Sequence, residues 1–244
     1  MSAKAKILIT GAAGHVGEIL RTHWGDRYPL RLGDIRPLDD CAGHEEYAAL
    51  DITSYEQMLE ACSGIDTVVH LAADPNPNAD FYSSLLPRNI TGTYNAFHAA
   101  HQAGCRRLVF ASSGQAILGY NTRELTGWDV PVFPQNVYGA TKCWGEALAR
   151  VYSDQHQLSC ICVRLGSPAF AQDGDWNAAD LYAQISPRDA AQLFACCVDV
   201  EELDFAIVHG ISRHQRSWMD LEVSRRLVGY EPQDGTAFPR GPTP

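Results

Sequence analysis

Residues 7–17 read ILITGAAGHVG. Ile7 to Thr10 make a short run suited to a buried strand, and Gly11, Gly14 and Gly17 follow at once. An apolar helical pattern continues behind them to about Trp24. A strand, a glycine turn and a helix start bring backbone N–H groups and the positive end of a helix dipole against an anion. A dinucleotide pyrophosphate fits that description, with His15 and Val16 opening the helix beside it. The glycines are spaced three and three, unlike the GxGxxG fingerprint, and such turns also arise for packing alone. The rest of the chain therefore has to decide.

Downstream, Leu30–Asp34 (LRLGD) reads as a second strand ending on a carboxylate. In a dinucleotide-binding βαβ unit an acidic residue here, about 20 residues past the glycines, accepts hydrogen bonds from the adenine ribose. Asp34 would repel a 2′-phosphate, which favours NAD over NADP, whereas Arg36, beside Ile35, is a residue that accommodates that phosphate. A third strand is predicted to end on Asp51 and Ile52 within 48–52, followed by a capping box between Ser54 and Gln57. The fourth, 65–73 (IDTVVHLAA), ends on Leu71, Ala72 and Ala73, where small residues let a backbone approach a cofactor, and its His70 reads as a packed strand residue. A turn-rich loop at 74–84 precedes a helix over about 87–103 that carries Asn89. The fifth strand, 107–112 (RLVFAS), includes Ala111 and Ser112 and runs into Ser113, Gly114 and Gln115.

Tyr138 and Lys142 then sit at i and i+4 in NVYGATKCWGEALARVY, on one helix face. A sixth strand (158–165), a loop (166–185), a helix capped by Ser186 with Pro187 in its first turn, a seventh strand (205–209) and a short helix near 220–227 complete the pattern. The tail beyond is expected to carry little structure. Alternation of strands and helices predicts an α/β fold, a doubly wound parallel sheet of about seven strands with helices on both faces. No linker or repeat divides the chain. The prediction is one Rossmann-type domain over 1–244, with a cofactor core at about 1–165 plus 186–209. Substrate-side segments fall at about 74–86, 114–133, 166–185 and 210–230.

Composition narrows the function. The 244 residues carry a net charge of −10 and no run of Lys or Arg, which argues against nucleic acid as the main partner. No stretch approaches the roughly 18 apolar residues of a membrane span, and MSAKAK runs into the first strand without a signal-like segment, so a cytoplasmic protein is expected. Eight cysteines form no CxxC pair and no Cys/His zinc spacing, and read as reduced apolar fillers, so no metal is assigned.

Taken together, TGAAGHVG, Asp34, Asp51-Ile52, HLAA at 70–73, RNITGTYN at 88–95, FASS at 110–113 and YGATK at 138–142 resemble the extended short-chain dehydrogenase/reductase superfamily over nearly the whole chain. The resemblance implies a catalytic set of Tyr138 as general base, Lys142 lowering its pKa and binding the nicotinamide ribose, Ser113 positioning the substrate oxygen, and Asn89 linked to the proton relay. The chemistry agrees: a tyrosine of pKa about 10 is a useless base near pH 7 unless its phenolate is stabilised.

Within the superfamily the chain is similar to the uronate dehydrogenases, which oxidise the anomeric carbon of hexuronates to a lactone with NAD. RLGDIRPLD at 31–39, YGATKCWGEALARVY, RLGS at 164–167 and the short remainder after Lys142 carry that similarity. Ser167 matches a substrate-contacting serine there. The departures fall at the substrate: Gly114-Gln115 replaces Asn-His, and no Lys or Arg lies between Arg164 and Arg188, where those enzymes carry an arginine for the sugar carboxylate. Candidate sugar contacts are Asp74, Ser112, Ser113, Gln115, Ser167, Trp176 and Asn177. An NAD-dependent dehydrogenase of an aldose or uronate-like sugar acid is the leading reading. A nucleotide-sugar epimerase, dehydratase or reductase with tightly held NAD, and an NAD-binding sensor without chemistry, stay open. A small-molecule sugar is the expected partner, and a homo-oligomer is compatible with the family.

Overall fold

The structure is a computed structural model, and residues 5–120, 125–168, 184–214 and 217–236 are described. Seven parallel strands form the central sheet: β1 (Ile7–Thr10), β2 (Leu30–Asp34), β3 (Glu45–Ala49), β4 (Thr67–His70), β5 (Arg107–Ser113), β6 (Ser159–Leu165) and β7 (Phe205–Gly210). Their spatial order is β3-β2-β1-β4-β5-β6-β7, so the winding reverses between β1 and β4. Ligands bind such sheets in the crevice at the carboxyl ends of the strands beside that switch point.

Both faces are covered, which is why the strands read as almost continuous apolar runs. Side chains alternate along each strand. Ile7, Ile9, Leu32 and Val163 therefore face α1 (His15–Trp24) and α5 (Pro187–Asp199), while Leu8, Val68, Phe110 and Cys162 face α2 (Tyr55–Cys62), α3 (Thr93–Gln102) and α4 (Val137–His156). All eight cysteines are free thiols, and Cys62, Cys105, Cys160, Cys162 and Cys197 are buried filler in these layers. A last helix, α6 (Glu222–Val228), packs beside β7. No helix among the described residues is long and apolar enough to cross a membrane.

Several boundaries differ from the sequence reading. β3 lies at Glu45–Ala49 rather than 48–52, paired residue for residue with β2, so Asp51 and Ile52 follow the strand. β4 is the four residues Thr67–His70, because only these pair with β1 and β5, and Leu71–Ala73 lie past its end. The capping box is half formed: Ser54 accepts from Gln57 N, but the Gln57 side chain accepts from Asp51 N instead of reaching back to Ser54. The helix expected from Pro87 begins at Phe81, where Asp80 caps it, and Phe81–Gly92 is π-helical before α3 continues. Proline at 87 and the wide π turn coincide, in keeping with the loss of a backbone donor there. β5 extends through Ser113, and Gly114–Ile117 forms a 3₁₀ turn. At the ends of the predicted 166–185 loop, Ser167–Pro168 pairs with Gln184–Ile185, and in the tail Gly235–Thr236 pairs with Arg213–His214.

Candidate active site

The cofactor half of the crevice is built on the β1–α1 turn. Thr10 ends β1 with its hydroxyl hydrogen-bonded to His70 Nδ1 (2.8 Å) and accepting from Ala72 N (3.3 Å), which pins the end of β4 to the turn. Gly11 adopts φ +73°, and a Cβ there would lie 2.8 Å from Ala72 N, so only glycine permits this approach. At Gly17 a Cβ would collide with the Ala12 carbonyl, so α1 rests directly on the turn. Gly14 occupies the N-cap of α1, His15 and Val16 are its first residues, and no side chain caps it. Its first N–H groups are thus presented to the crevice. Leu71, Ala72 and Ala73 line the approach from β4, half-buried.

Asp34 has a role the sequence reading missed. Its carboxylate accepts from Ala13 N and from Arg36 N, both at 2.9 Å, so it also holds the glycine turn against the end of β2. The Arg36 guanidinium donates to the Ala13 carbonyl and lies 3.7 Å from Asp34, while Ile35 is exposed. The Asp51 carboxylate accepts from Thr53 N and Oγ1, and Ile52 is buried against Gly92. A cradle that a Cβ would fill, a helix start without a side-chain cap and a carboxylate at the end of β2 fit a dinucleotide. His70 is neutral: burial, helped by the charge of Lys142, holds it down to about 3, as suits a packed strand residue.

The reacting half sits at the end of β5. Asn136 caps α4 by accepting from Gly139 N (2.7 Å) and donates its amide to Gln115 Oε1 (2.8 Å), which fixes the helix start that carries Tyr138. Burial pushes the pKa of the Tyr138 phenol up, the neighbouring Ser113 hydroxyl opposes this, and the Asp74 carboxylate adds to the rise. One turn on, Lys142 is buried, donates to the Ala111 carbonyl (2.8 Å), and is pulled down to about 8 by burial. Its Nζ lies 5.6 Å from the centre of the Tyr138 ring. A phenol held high and an ammonium held low, this close together, each gain from becoming a phenolate–ammonium pair.

Asn89 is buried in the π-helical segment. It accepts from Asp74 N (2.8 Å), donates to the Asp74 carbonyl (3.0 Å) and donates to Thr141 Oγ1 (3.2 Å). It therefore ties the loop after β4 to the residue next to Lys142.

Of the expected sugar contacts, Ser113 ends β5, while Ser112, Gln115 and Asp74 already have partners within the fold. Ser112 is buried and donates to Glu146 (2.7 Å), so its proton is committed inside the fold. Gln115 is engaged by Asn136 as the support of α4. Asp74 accepts from Ser84 Oγ and Asn76 N (2.9 Å) and lies 3.5 Å from Arg88. Burial would raise its carboxyl, but these hydrogen bonds and the Arg88 charge hold it below the usual range. Ser167 is exposed in its two-residue strand. Trp176 and Asn177 lie outside the described residues. Trp218 and Met219 cover Gly114: a Cβ there would meet them at ordinary contact distance, 3.5 and 3.6 Å. Thr126 bridges to Met219 and joins the segment after β5 to this cover. Neither Thr10, Ser84 nor the cover stood out in the sequence, although Asn136 before VYGATK is a readable N-cap. No group of three or more His, Cys, Asp or Glu among the described residues is arranged to hold a metal ion.

The model of the NAD dependent epimerase/dehydratase family matches residues 7–181. The chain is 35% identical to the NAD-dependent glucose-6-phosphate dehydrogenase of Haloferax volcanii, over 95% of this chain and 94% of that protein. It is 32% identical to the L-arabinose 1-dehydrogenase (NAD(P)(+)) of the same organism, over 96% of this chain and 98% of that one. Among solved structures, a variant of the uronate dehydrogenase from Agrobacterium tumefaciens, complexed with NAD, superposes with a TM-score of 0.87 at 32% identity, over 96% of this chain and 86% of that one.

Proposed function

The chain belongs to the NAD dependent epimerase/dehydratase family, and from that premise we propose that it is an NAD-dependent dehydrogenase that oxidises a neutral aldose at its anomeric carbon to the lactone. The observation that carries the reading is the buried Tyr138, beside Ser113 and one helical turn from the buried Lys142, at strand ends on the same sheet edge as the glycine turn. Relatives named as dehydrogenases of glucose 6-phosphate and arabinose, and of uronate, support a sugar substrate.

NAD, when bound, supplies the hydride acceptor. Ser113 donates a hydrogen bond to the anomeric oxygen and so holds the hydroxyl against Tyr138. Tyr138 takes the hydroxyl proton as the C–H bond breaks, and the new C=O is that of the lactone. Lys142 offsets the charge of the phenolate, whose formation burial alone would oppose. Asn89 and Asn136 fix the loop and helix that carry these groups. Cofactor choice follows Asp34, whose carboxylate repels a 2′-phosphate.

The neutral substrate follows from charge. Arg88 is an exposed cation in contact with the lining of the reacting half of the crevice, and it is already paired with Asp74. The Asp74 carboxylate bears on Tyr138 itself. An anionic sugar would have to displace that carboxylate and then lie beside it, whereas a hydroxyl can donate to it.

A panel of neutral aldoses, uronates and sugar phosphates offered with NAD tests this reading by absorbance of the reduced cofactor. Neutral aldoses are expected to give the highest kcat/KM, with Arg88→Ala changing it less than tenfold. Turnover confined to phosphorylated sugars and abolished by Arg88→Ala would replace the neutral substrate with a phosphate ester read by Arg88.

A further inference from the structure

Tyr138, Lys142 and Glu146 fall at i, i+4 and i+8 of α4, on one stripe facing the sheet. The first two belong to the proposed chemistry. Glu146 does not, yet it is buried as deeply as Lys142. Its Oε1 accepts from Ser112 Oγ (2.7 Å) and Arg164 Nε (2.9 Å), and its Oε2 accepts from Arg164 Nη2 (2.9 Å). The pair is bidentate, with side chains 1% and 4% exposed. Arg164 Nη1 donates further to the Trp128 carbonyl (3.1 Å), in the segment that Thr126 joins to the cover over Gly114.

A charged pair this deep is rarely the cheapest way to stabilise a core, because removing both charges from water costs several kcal/mol per ion before their attraction is counted. What it does supply is direction. Ser112 and Arg164 are register partners on β5 and β6, so Glu146 is fastened to two adjacent strands at one level. Ser112 immediately precedes Ser113. The same carboxylate therefore fixes the sliding and rotation of α4 relative to the strand end bearing Ser113, over two turns of helix from Glu146 to Tyr138.

We propose that Glu146, clamped by Arg164 and Ser112, is a positioning residue that sets the register between Tyr138 on α4 and Ser113 on β5. It acts through geometry, and it touches neither substrate nor cofactor. The inference rests on the reading of Tyr138 as the base.

Arg164→Met alone would leave an unpaired buried carboxylate and is expected to fold poorly. The informative variant is Glu146→Leu/Arg164→Met, which removes both charges together, with Ser112→Ala as the milder companion. The double variant is expected to keep its thermal transition and to bind NAD within about threefold of the parent by calorimetry. Its kcat should fall about 10²-fold, the scale of a displacement of about 1 Å between reacting groups. KM for the sugar should change far less. The rising limb of kcat against pH should move upward, because a phenol drawn away from Ser113 loses the neighbouring hydroxyl that lowers its pKa. Ser112→Ala should show the same split in smaller measure. A double variant that folds, binds NAD and retains parental kcat with an unmoved pH limb overturns the positioning role. Failure of the base assignment itself would appear separately, as undiminished turnover in Tyr138→Phe.

Discussion

Tyr138→Phe is expected to lower kcat by about 10²–10⁴-fold, the range of a lost general base, while leaving the fold and NAD affinity intact. The substitution removes one oxygen and keeps the ring that packs at the start of α4. Ser113 still presents its hydroxyl, so KM for the sugar should move little, and the loss should fall on kcat. The pH profile gives the same result a second form. A phenol must lose its proton to act, so kcat rises with pH, and the limb lies where Lys142 and burial together place the phenol. Burial raises Tyr138 and Ser113 opposes it, and the ammonium of Lys142, 5.6 Å from the ring centre, favours the phenolate further. In the free protein Lys142 titrates near 8, so its charge is full below that pH and fades above it. Lys142→Met is therefore expected to slow turnover and push the limb to higher pH, read from kcat measured across pH at saturating NAD.

Gly11→Ala should have the second large effect, through the cofactor. The backbone there holds φ +73°, and the new methyl would meet Ala72 N at 2.8 Å, in the segment that Thr10 pins. Ala72 N and Ala72 Cα, at 2.8 and 2.9 Å, are backbone atoms and not the flexible end of a side chain, so the turn must move. A strain of about 1–3 kcal/mol expressed in binding weakens NAD by about 5- to 140-fold. Gly25→Ala is the control: its φ is +49°, but a Cβ there meets nothing within 4 Å. It should cost some stability and leave NAD affinity unchanged, both readable by calorimetry and thermal unfolding.

Much of the architecture was legible because it rests on local rules. Ile7–Thr10 with its glycines, Ser186-Pro187 and the Tyr138/Lys142 spacing each encode an element in adjacent residues, and each is found where it was read. What escaped depends on partners far along the chain. The start of β3 at Glu45 follows from pairing with β2. The π-helical stretch from Phe81 depends on a cap at Asp80 and on Asn89 reaching Asp74. Ser112 looked like a substrate contact because it precedes Ser113; strand alternation turns it toward Glu146, and only the fold brings Glu146 there. Asp74 and Gln115 were legible as polar residues at the crevice, but not as groups already engaged by Ser84, Arg88 and Asn136.

The proposed reaction is the transfer of a hydride from the anomeric carbon of an aldose to NAD. An aldose deuterated at C1, incubated with the protein and excess NAD, puts it to the most direct test, with the cofactor recovered and weighed by mass spectrometry. The expected result is reduced cofactor carrying one deuterium, formed in equal amount to lactone and slowed by the isotope. Reduced cofactor without deuterium, or a sugar altered elsewhere with no net reduction of NAD, would contradict it.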